Sequence, residues 1–248
     1  MPHILAQAIE ILTTALAVAG MGYFLASIVA ARIFLRERRS VKAEYAPGIS
    51  ILKSLKGLDP GMMDAFRSHC RQNYAGEYEL LFGVSSLNDP AAAAVKELAA
   101  EFPENGIRLI DCPERLGTNG KVSTLAQLAC HARHDVLLIN DSDITVGPRY
   151  LARIARCFAP AENASGVKAP ISVSGMRNGT AKAVPFQGNV ARNEVGLVTA
   201  LYRGKAHGSF WRGGGLSSRL EALGIATDFI PGVLLSKWIE GGLHYGLG

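Results

Sequence analysis

Two carboxylates with one residue between them follow an apolar run in "DVLLINDSDITV", residues 135–146. The run from Val136 to Ile139 is typical of a buried strand, and polar residues at the C-terminal edge of such strands lie where open α/β sheets bind ligands. Asp141 and Asp143 therefore suggest a site for a divalent metal together with the phosphates of a substrate. The alternative is that either aspartate merely turns the chain where the strand ends.

Strand-like and helical segments alternate before this motif. The strand-like segments are "GISILKSLKG", "YELLFGVSS" and "GIRLIDC", and the helical stretches that follow them are Met62 to Asn73, "DPAAAAVKELAAEF" and "NGKVSTLAQLACHARH". This order predicts βαβ units, so we expect an α/β fold with a doubly wound, mostly parallel sheet. No glycine pattern of a dinucleotide site or a P-loop follows these strands, so phosphate binding here would require a metal.

The residues after the motif are less regular. Residues 159–189 are rich in Gly, Ala, Ser, Asn and Pro, which predicts a long loop or an insertion. The segment "VGLVTALYRG", residues 195–204, predicts a strand that resumes the sheet. Two later segments, "SSRLEALGI" and "GVLLSKWIEGGLHYG", are helical and apolar enough to lie along a membrane surface.

An uncharged apolar segment of 21 residues, Ile11 to Ala31, lies near the N-terminus. Its length suits a hydrocarbon core roughly 30 Å thick, so we expect a transmembrane helix, and the alternative is a buried helix. A secretory signal would carry basic residues before the apolar core, whereas "RIFLRERR" follows it here. We therefore expect an uncleaved, single-pass anchor in the cell (inner) membrane, with the catalytic domain on the cytoplasmic side.

The composition argues against several classes of protein. The net charge of +5 and the pI near 9.1 suit an anionic membrane surface. The sequence has no basic stripe with interleaved aromatic residues, so it gives no sign of a nucleic-acid partner. The four cysteines are widely spaced and form no Cys-x-x-Cys pair. The sequence therefore gives no signal for a zinc site or a redox motif.

Four segments in one order resemble the ceramide glucosyltransferase family, in particular its bacterial branch linked to hopanoid biosynthesis. They are "PGISILKSLKG", "YELLFGVSSLNDPA", "RLGTNGKVSTL" and "LLINDSDITV", and they follow one apolar anchor segment. The resemblance covers roughly residues 45–158 and resumes at about 195–204. It implies an inverting GT-A glycosyltransferase that transfers a sugar from a UDP-sugar to a lipid hydroxyl, of a ceramide-like or hopanoid-like acceptor.

The resemblance also implies roles for three aspartates. Asp89, in "NDP", matches the first signature aspartate of the family, which is expected near the nucleotide. Asp141 matches the second, and Asp143 completes an Asp-x-Asp motif for Mg²⁺ or Mn²⁺. For Asp89 the alternative role is an ordinary helix N-cap, because Pro90 follows it.

Three further residues fall in segments that the family places around the sugar donor. Lys53 and Lys121 are expected to offer their ammonium groups to the diphosphate, although either could be an ordinary solvated lysine. Asn119, in "TNGK", is expected to hydrogen-bond the nucleotide or to cap a helix.

The resemblance is incomplete on the acceptor side. The family's third signature aspartate, the expected catalytic base, and its Gln/Arg-x-x-Arg-Trp motif belong beyond Gly248, and Asp228 does not lie in the matching motif. Together with the insertion at 159–189, this suggests a truncated, split or decayed gene product. We expect an anchor at 1–38 and an incomplete glycosyltransferase domain at 45–248.

Two alternative functions remain open from the sequence. One is a catalytically silent nucleotide-binding or membrane-interaction protein that has lost the acceptor half. The other is a relative of the processive polysaccharide synthases, although such chains usually carry several more membrane spans.

Overall fold

A computed structural model describes residues 2–37, 45–159, 198, 200–205 and 215–240 of the chain. The elements in chain order are α1 (Pro2–Glu37), β1 (Ile49–Ser54), α2 (Met62–Cys70), β2 (Tyr78–Val84), α3 (Pro90–Glu101), β3 (Ile107–Asp111), α4 (Gly120–Ala129), β4 (Val136–Ile139), α5 (Tyr150–Ala155) with a 3₁₀ turn at Arg156–Phe158, α6 (Gly215–Gly224), a π-helical turn at Ile225–Phe229, and α7 (Ile230–Glu240).

The chain divides into two compact units. One comprises Met1–Lys42 with Leu197–Gly248, and the other comprises Ala43–Gly196. Within the first unit α7 packs against α1. The predicted anchor at 1–38 and the glycosyltransferase domain at 45–248 stay predictions. The expected insertion at 159–189 lies outside the described residues, apart from residue 159.

The second unit contains a four-stranded parallel sheet with the strand order β3-β2-β1-β4. Within it, Leu52 of β1 lies opposite Leu81 of β2 on one side and Ile139 of β4 on the other. Each of these strands lies in a segment where the sequence predicts one. Nearly every residue of β1 and β2 is buried, as expected of parallel strands that are covered on both faces.

Helices cover both faces of this sheet, which confirms the α/β class and the doubly wound arrangement. On one face α2, α3 and α5 pack against the strands, and the rings of Phe66 and Phe82 lie 4.7 Å apart between their centroids. On the other face Leu128 of α4 packs against Leu52 and Leu81. Burial of each such side chain contributes about 1.5–3 kcal/mol to folding.

The predicted strand at 195–204 is wrong for the residues that the structure describes. Residues 198 and 200–204 have no strand structure. The ring of Tyr202 instead packs against Phe229, with 5.1 Å between the ring centroids. Tyr202 therefore packs on a helical residue of its own unit without joining a sheet.

Two helices in the described part of the chain are long and apolar enough to cross a membrane, where the sequence predicted one. They are residues 3–36 and the continuous helical run 215–240, in which the π-helical turn joins α6 to α7. The apolar side chains of α1 are largely exposed, for example Leu16 at 63% and Met21 at 66%. Among the described residues, α1 is therefore largely unburied.

Candidate functional site

The candidate site lies at the C-terminal edge of the sheet, between β1 and β4. The chain passes from β1 to β2 on one side, whereas β4 joins β1 on the other side, so the strand order reverses between β1 and β4. In open α/β sheets the ends of such strands form the crevice that binds ligands. Lys53 is the penultimate residue of β1, and Asp141 and Asp143 follow β4. The fold thus brings together the residues that the sequence singled out.

The Asp-x-Asp motif forms a turn with its carboxylates at the surface. The amide N–H of Ile144 donates to the carbonyl of Asp141 at 3.4 Å, which closes a turn around Ser142 and Asp143. Asp141 and Asp143 are both exposed. Their oxygens are therefore accessible to a ligand from solvent.

Lys121 forms an ion pair with the carboxylate of Asp141 through Nζ and Oδ1. Both side chains are about half exposed, at 47% and 55%, so the pair contributes little to stability. Asn119 caps α4 by accepting from the amide of Val122 at 3.2 Å, which confirms the capping alternative. The cap fixes the first turn of α4, and this turn carries Lys121 towards Asp141.

Lys53 is completely buried beneath the Asp-x-Asp turn. Its Nζ donates to the carbonyl oxygen of Asp141 at 2.7 Å and lies 5.9 Å from the centroid of the Phe66 ring. Burial lowers the pKa of Lys53 to about 7, although the charges of Asp141 and Asp143 oppose the shift. The sequence predicted an ammonium that faces the diphosphate, whereas the structure places it under the backbone of the metal motif.

A buried histidine supports the residue before the motif. His69 of α2 lies 2.9 Å from the carbonyl of Ala65 through Nδ1, and its Nε2 lies 3.0 Å from the side-chain nitrogen of Asn140. These partners place the proton on Nδ1 and leave Nε2 to accept from Asn140. Burial, with the nearby charge of Lys53, lowers the pKa of His69 to about 3, so the ring stays neutral.

Asp89 connects the loop after β1 to the start of α3. Its carboxylate accepts from the amide of Ala91 at 2.9 Å and, through both oxygens, from the amide of Gly57 at 3.0 and 3.1 Å. Gly57 has a φ of 70°, a conformation that favours glycine. The N-cap alternative is therefore confirmed, and proximity of Asp89 to a nucleotide stays a prediction.

Asp59 was not identified from the sequence, although it follows β1 on the same edge of the sheet. Its Oδ2 accepts from the hydroxyl of Ser142 at 2.6 Å, so it holds the residue between the two aspartates of the motif. His69 and Asn140 were missed as well. Asp59 could have been found from its position after a strand, whereas nothing in the amphipathic pattern of α2 distinguishes His69 from a core residue.

The residues of the motif fit a hard divalent cation. Carboxylate oxygens are the ligands that Mg²⁺ and Mn²⁺ prefer, and Asp141 and Asp143 offer them at the surface. Within the described ranges, no group of three or more His, Cys, Asp or Glu side chains could hold a metal by itself. A cation here would therefore need further ligands from water or from the phosphates of a substrate.

Comparison with known families assigns the chain. The sequence profile of glycosyl transferase family 21 matches residues 12–184, which is more than half of the chain and contains all the site residues described above. The chain belongs to glycosyl transferase family 21.

Ceramide glucosyltransferases of two yeasts resemble part of this family 21 chain. The ceramide glucosyltransferase of Candida albicans is 29% identical over 112 residues, which are 41% of this chain and 21% of the relative. The ceramide glucosyltransferase of Komagataella phaffii is 31% identical over 110 residues, with 43% and 21% covered. The chain thus matches about a fifth of the length of these relatives.

Among solved structures, part of the chain is similar to the mannosyltransferase PcManGT from Pyrobaculum calidifontis in complex with GDP-Man and Mn²⁺. It is 19% identical, the match covers 56% of this chain and 41% of that chain, and the TM-score is 0.39.

Proposed function

We propose that this protein is a membrane-anchored, inverting glycosyltransferase that transfers a sugar from a UDP-sugar to the hydroxyl group of a lipid. The observation that carries the proposal is the Asp-x-Asp turn at the reversal of strand order in a chain of glycosyl transferase family 21. In this proposal Asp141 and Asp143 hold Mg²⁺ or Mn²⁺. The bound cation would stabilise the negative charge that develops on the departing diphosphate.

The charges around the turn support binding of a nucleotide diphosphate. Lys121 lies beside Asp141 with half of its side chain exposed, so its ammonium can reach a phosphate at the same surface. Asp89 and Asn119 hold the loop after β1 and the first turn of α4 through backbone hydrogen bonds. Their proposed contribution is to fix the walls of the nucleotide site.

The acceptor side of the proposal rests on the apolar helices and on the relatives. Residues 3–36 and 215–240 can each span a membrane by length and composition, and the relatives named above are ceramide glucosyltransferases. We infer a ceramide-like or hopanoid-like acceptor, an inner-membrane location and a catalytic domain on the cytoplasmic side. Attack by the acceptor hydroxyl also needs a base. Asp228 is not proposed for this role, because it does not lie in the motif that the resemblance assigns to the base.

Calorimetry of the full chain in lipid nanodiscs tests the donor site. UDP should bind in the presence of Mn²⁺ or Mg²⁺ and bind weakly when a chelator is added. Asp143→Asn should lower the affinity at least about tenfold, because a charge-assisted interaction of roughly 1.5–3 kcal/mol is lost. Asp135→Asn, at the exposed start of the same strand, is the matched control and should not change it.

Equal UDP affinity with and without the chelator would contradict the metal site. Transfer is tested separately, with radiolabelled UDP-glucose or UDP-N-acetylglucosamine, the metal, and ceramide or a hopanoid alcohol in the nanodisc. Formation of labelled lipid would support the proposed glycosyltransferase activity. Metal-dependent binding of UDP without labelled lipid would instead favour the catalytically silent alternative.

A further inference from the structure

Lys53 is the largest fully buried side chain of the described residues, and its position is chemically unusual. Lysine is almost never fully buried unless it is paired, because loss of hydration penalises the ammonium. Within the described part of the chain it forms no salt bridge. Its hydrogen-bond partner is a backbone carbonyl, that of Asp141 at 2.7 Å. Packing alone would be served better by an apolar residue.

The carbonyl that Lys53 binds is the one that closes the Asp-x-Asp turn. The same oxygen accepts from the amide of Ile144, but at 3.4 Å this backbone bond is long and weak. The bond from Nζ is shorter, at 2.7 Å, and when the amine is protonated it is charge-assisted, which makes such a bond roughly twice as strong as a neutral one. The buried ammonium is therefore the stronger of the two constraints on this end of the turn.

The other constraints on the turn come from exposed groups. Ser142 donates to Asp59, and the carboxylate of Asp141 pairs with Lys121, whose side chain is 47% exposed. Exposed pairs exchange readily with water and with ligands, and the pair with Lys121 involves the same carboxylate that a metal would take. The contact with Lys53 uses the main chain of Asp141 and does not involve its carboxylate.

We propose that Lys53 is a positioning residue, which holds the main chain of Asp141 so that the carboxylates of Asp141 and Asp143 are ordered before a metal and a nucleotide diphosphate bind. The inference rests on the proposed function of this site. It assigns to Lys53 a role through the motif and not a direct contact with the donor. Hydrogen-bonded groups behind metal ligands typically contribute 10- to 100-fold to metal affinity.

The test replaces Lys53 by methionine in the full chain in nanodiscs. Methionine has a similar length and suits a buried position, but it has no donor for the Asp141 carbonyl. Mn²⁺ affinity, measured from the electron paramagnetic resonance signal of free Mn²⁺, should fall about tenfold or more. UDP affinity in the presence of Mn²⁺ should fall with it, whereas the thermal unfolding midpoint should not decrease. Lys56→Met, three residues further at an exposed position, is the matched control and should leave all three quantities unchanged.

Unchanged Mn²⁺ and UDP affinities in a folded Lys53→Met variant would overturn the proposal. A parallel loss of the unfolding midpoint and of affinity would overturn it too, because that result describes a merely structural residue. If Lys53→Met does not fold, Lys53→Gln replaces it, since the amide keeps a donor on a shorter side chain. That variant should lose at least threefold in Mn²⁺ affinity relative to Lys56→Gln, and equal affinities would overturn the proposal.

Failure of the positioning role is distinguishable from failure of the proposed function. If the unmodified chain binds neither Mn²⁺ nor UDP, the proposed function fails, and the positioning role falls with it. If the unmodified chain binds both and Asp143→Asn weakens binding while Lys53→Met does not, only the positioning role is overturned.

Discussion

Asp141 is held by two lysines that differ in burial. Lys53 is buried and binds its main chain, whereas Lys121 is about half exposed and binds its carboxylate. The first contact is shielded from solvent, and the second is screened by water and salt. The two ammonium groups should therefore affect different properties of the protein.

Substitution of Lys121 should affect the ligand more than the fold. We expect Lys121→Ala to lower UDP affinity in the presence of Mn²⁺ by about tenfold, because a charged hydrogen bond to a phosphate is worth roughly 1.5–3 kcal/mol. The cost in stability should be at most about 1 kcal/mol, as for other exposed ion pairs. Calorimetry and thermal unfolding measure the two effects. Lys96→Ala, at an exposed position of α3, is the control, and an equal effect of both substitutions on UDP affinity would contradict the role of Lys121.

His69 should make stability depend on pH. Its pKa falls from the usual 6.5 to about 3 on folding, so between these values the unfolded chain binds a proton that the folded chain does not. The free energy of unfolding should therefore decrease as the pH falls below 6.5, by about 3 kcal/mol at pH 4 from this residue. Urea unfolding followed by circular dichroism measures this decrease.

The variant His69→Gln isolates that contribution. It should flatten the slope between pH 4 and 6.5, whereas His131→Gln, at an exposed position, should leave the slope as it is. The window lies below the pKa of Lys53, which is about 7, so Lys53 stays charged there and adds little to the slope. A slope that His69→Gln does not change would show that the ring is not kept neutral by burial.

At the scale of elements, the site depends on how closely α4 packs against the sheet. Gly83 of β2 lies where α4 crosses, and a Cβ atom there would be 2.6 Å from the Thr124 side chain and 2.9 Å from that of Leu128. The absence of a side chain thus lets α4 approach the sheet closely. Asn119 caps α4 and Lys121 lies in its first turn, so the packing of α4 on the sheet determines where the Lys121 ammonium lies relative to the Asp-x-Asp turn.

Gly83→Ala should displace α4 and weaken both the fold and the site. We expect a loss of about 1–3 kcal/mol in the free energy of unfolding, as for other overpacked cores, together with lower UDP affinity. Gly117→Ala is the matched control, because a Cβ atom at Gly117 meets nothing within 4 Å. If both substitutions lower the free energy of unfolding by the same amount, the close approach of α4 at Gly83 is not required.

At the scale of the whole molecule, the two units contain different kinds of surface. The sheet unit buries its strands between helices, whereas α1 and the run 215–240 expose most of their apolar side chains. Within the first unit α1 packs against α7, and the ammonium of Lys237 lies 5.4 Å from the centroid of the Phe34 ring. Exposed apolar area of this extent is typical of membrane-embedded helices.

The full chain should remain with membranes after a wash in high salt and leave them only in detergent. A charge in the middle of the apolar segment should weaken insertion, since an arginine at the centre of a bilayer costs roughly 2.5–3.5 kcal/mol. Leu16→Arg should therefore reduce the retained fraction, measured by sedimentation and immunoblotting. Leu58→Arg changes an equally exposed leucine of the sheet unit and should not. Release of the unmodified chain by salt alone would show that surface charge, and not an apolar helix, binds it.

The sequence by itself determined the elements and their order, because their signals are local. Apolar runs such as 136–139 predicted the strands, and the sequence offered helix capping as the alternative role of Asp89 and Asn119. The position of Asp141 and Asp143 at a sheet edge followed from the strand that precedes them. The local pattern failed at residues 198 and 200–204, where a run rich in apolar residues also suits a segment that packs on helices.

Only the tertiary structure decided how the site is supported, because the partners are far apart in the chain. Lys53 and Asp141 are separated by 88 positions, Asp59 and Ser142 by 83, and His69 and Asn140 by 71. Whether a lysine at the end of a strand is solvated or buried depends on the helices and loops that cover it. The pairing of β1 with β4 and the packing of α2 on the sheet together place the ammonium of Lys53 under the carbonyl of Asp141. From the sequence, this ammonium was predicted to bind phosphate.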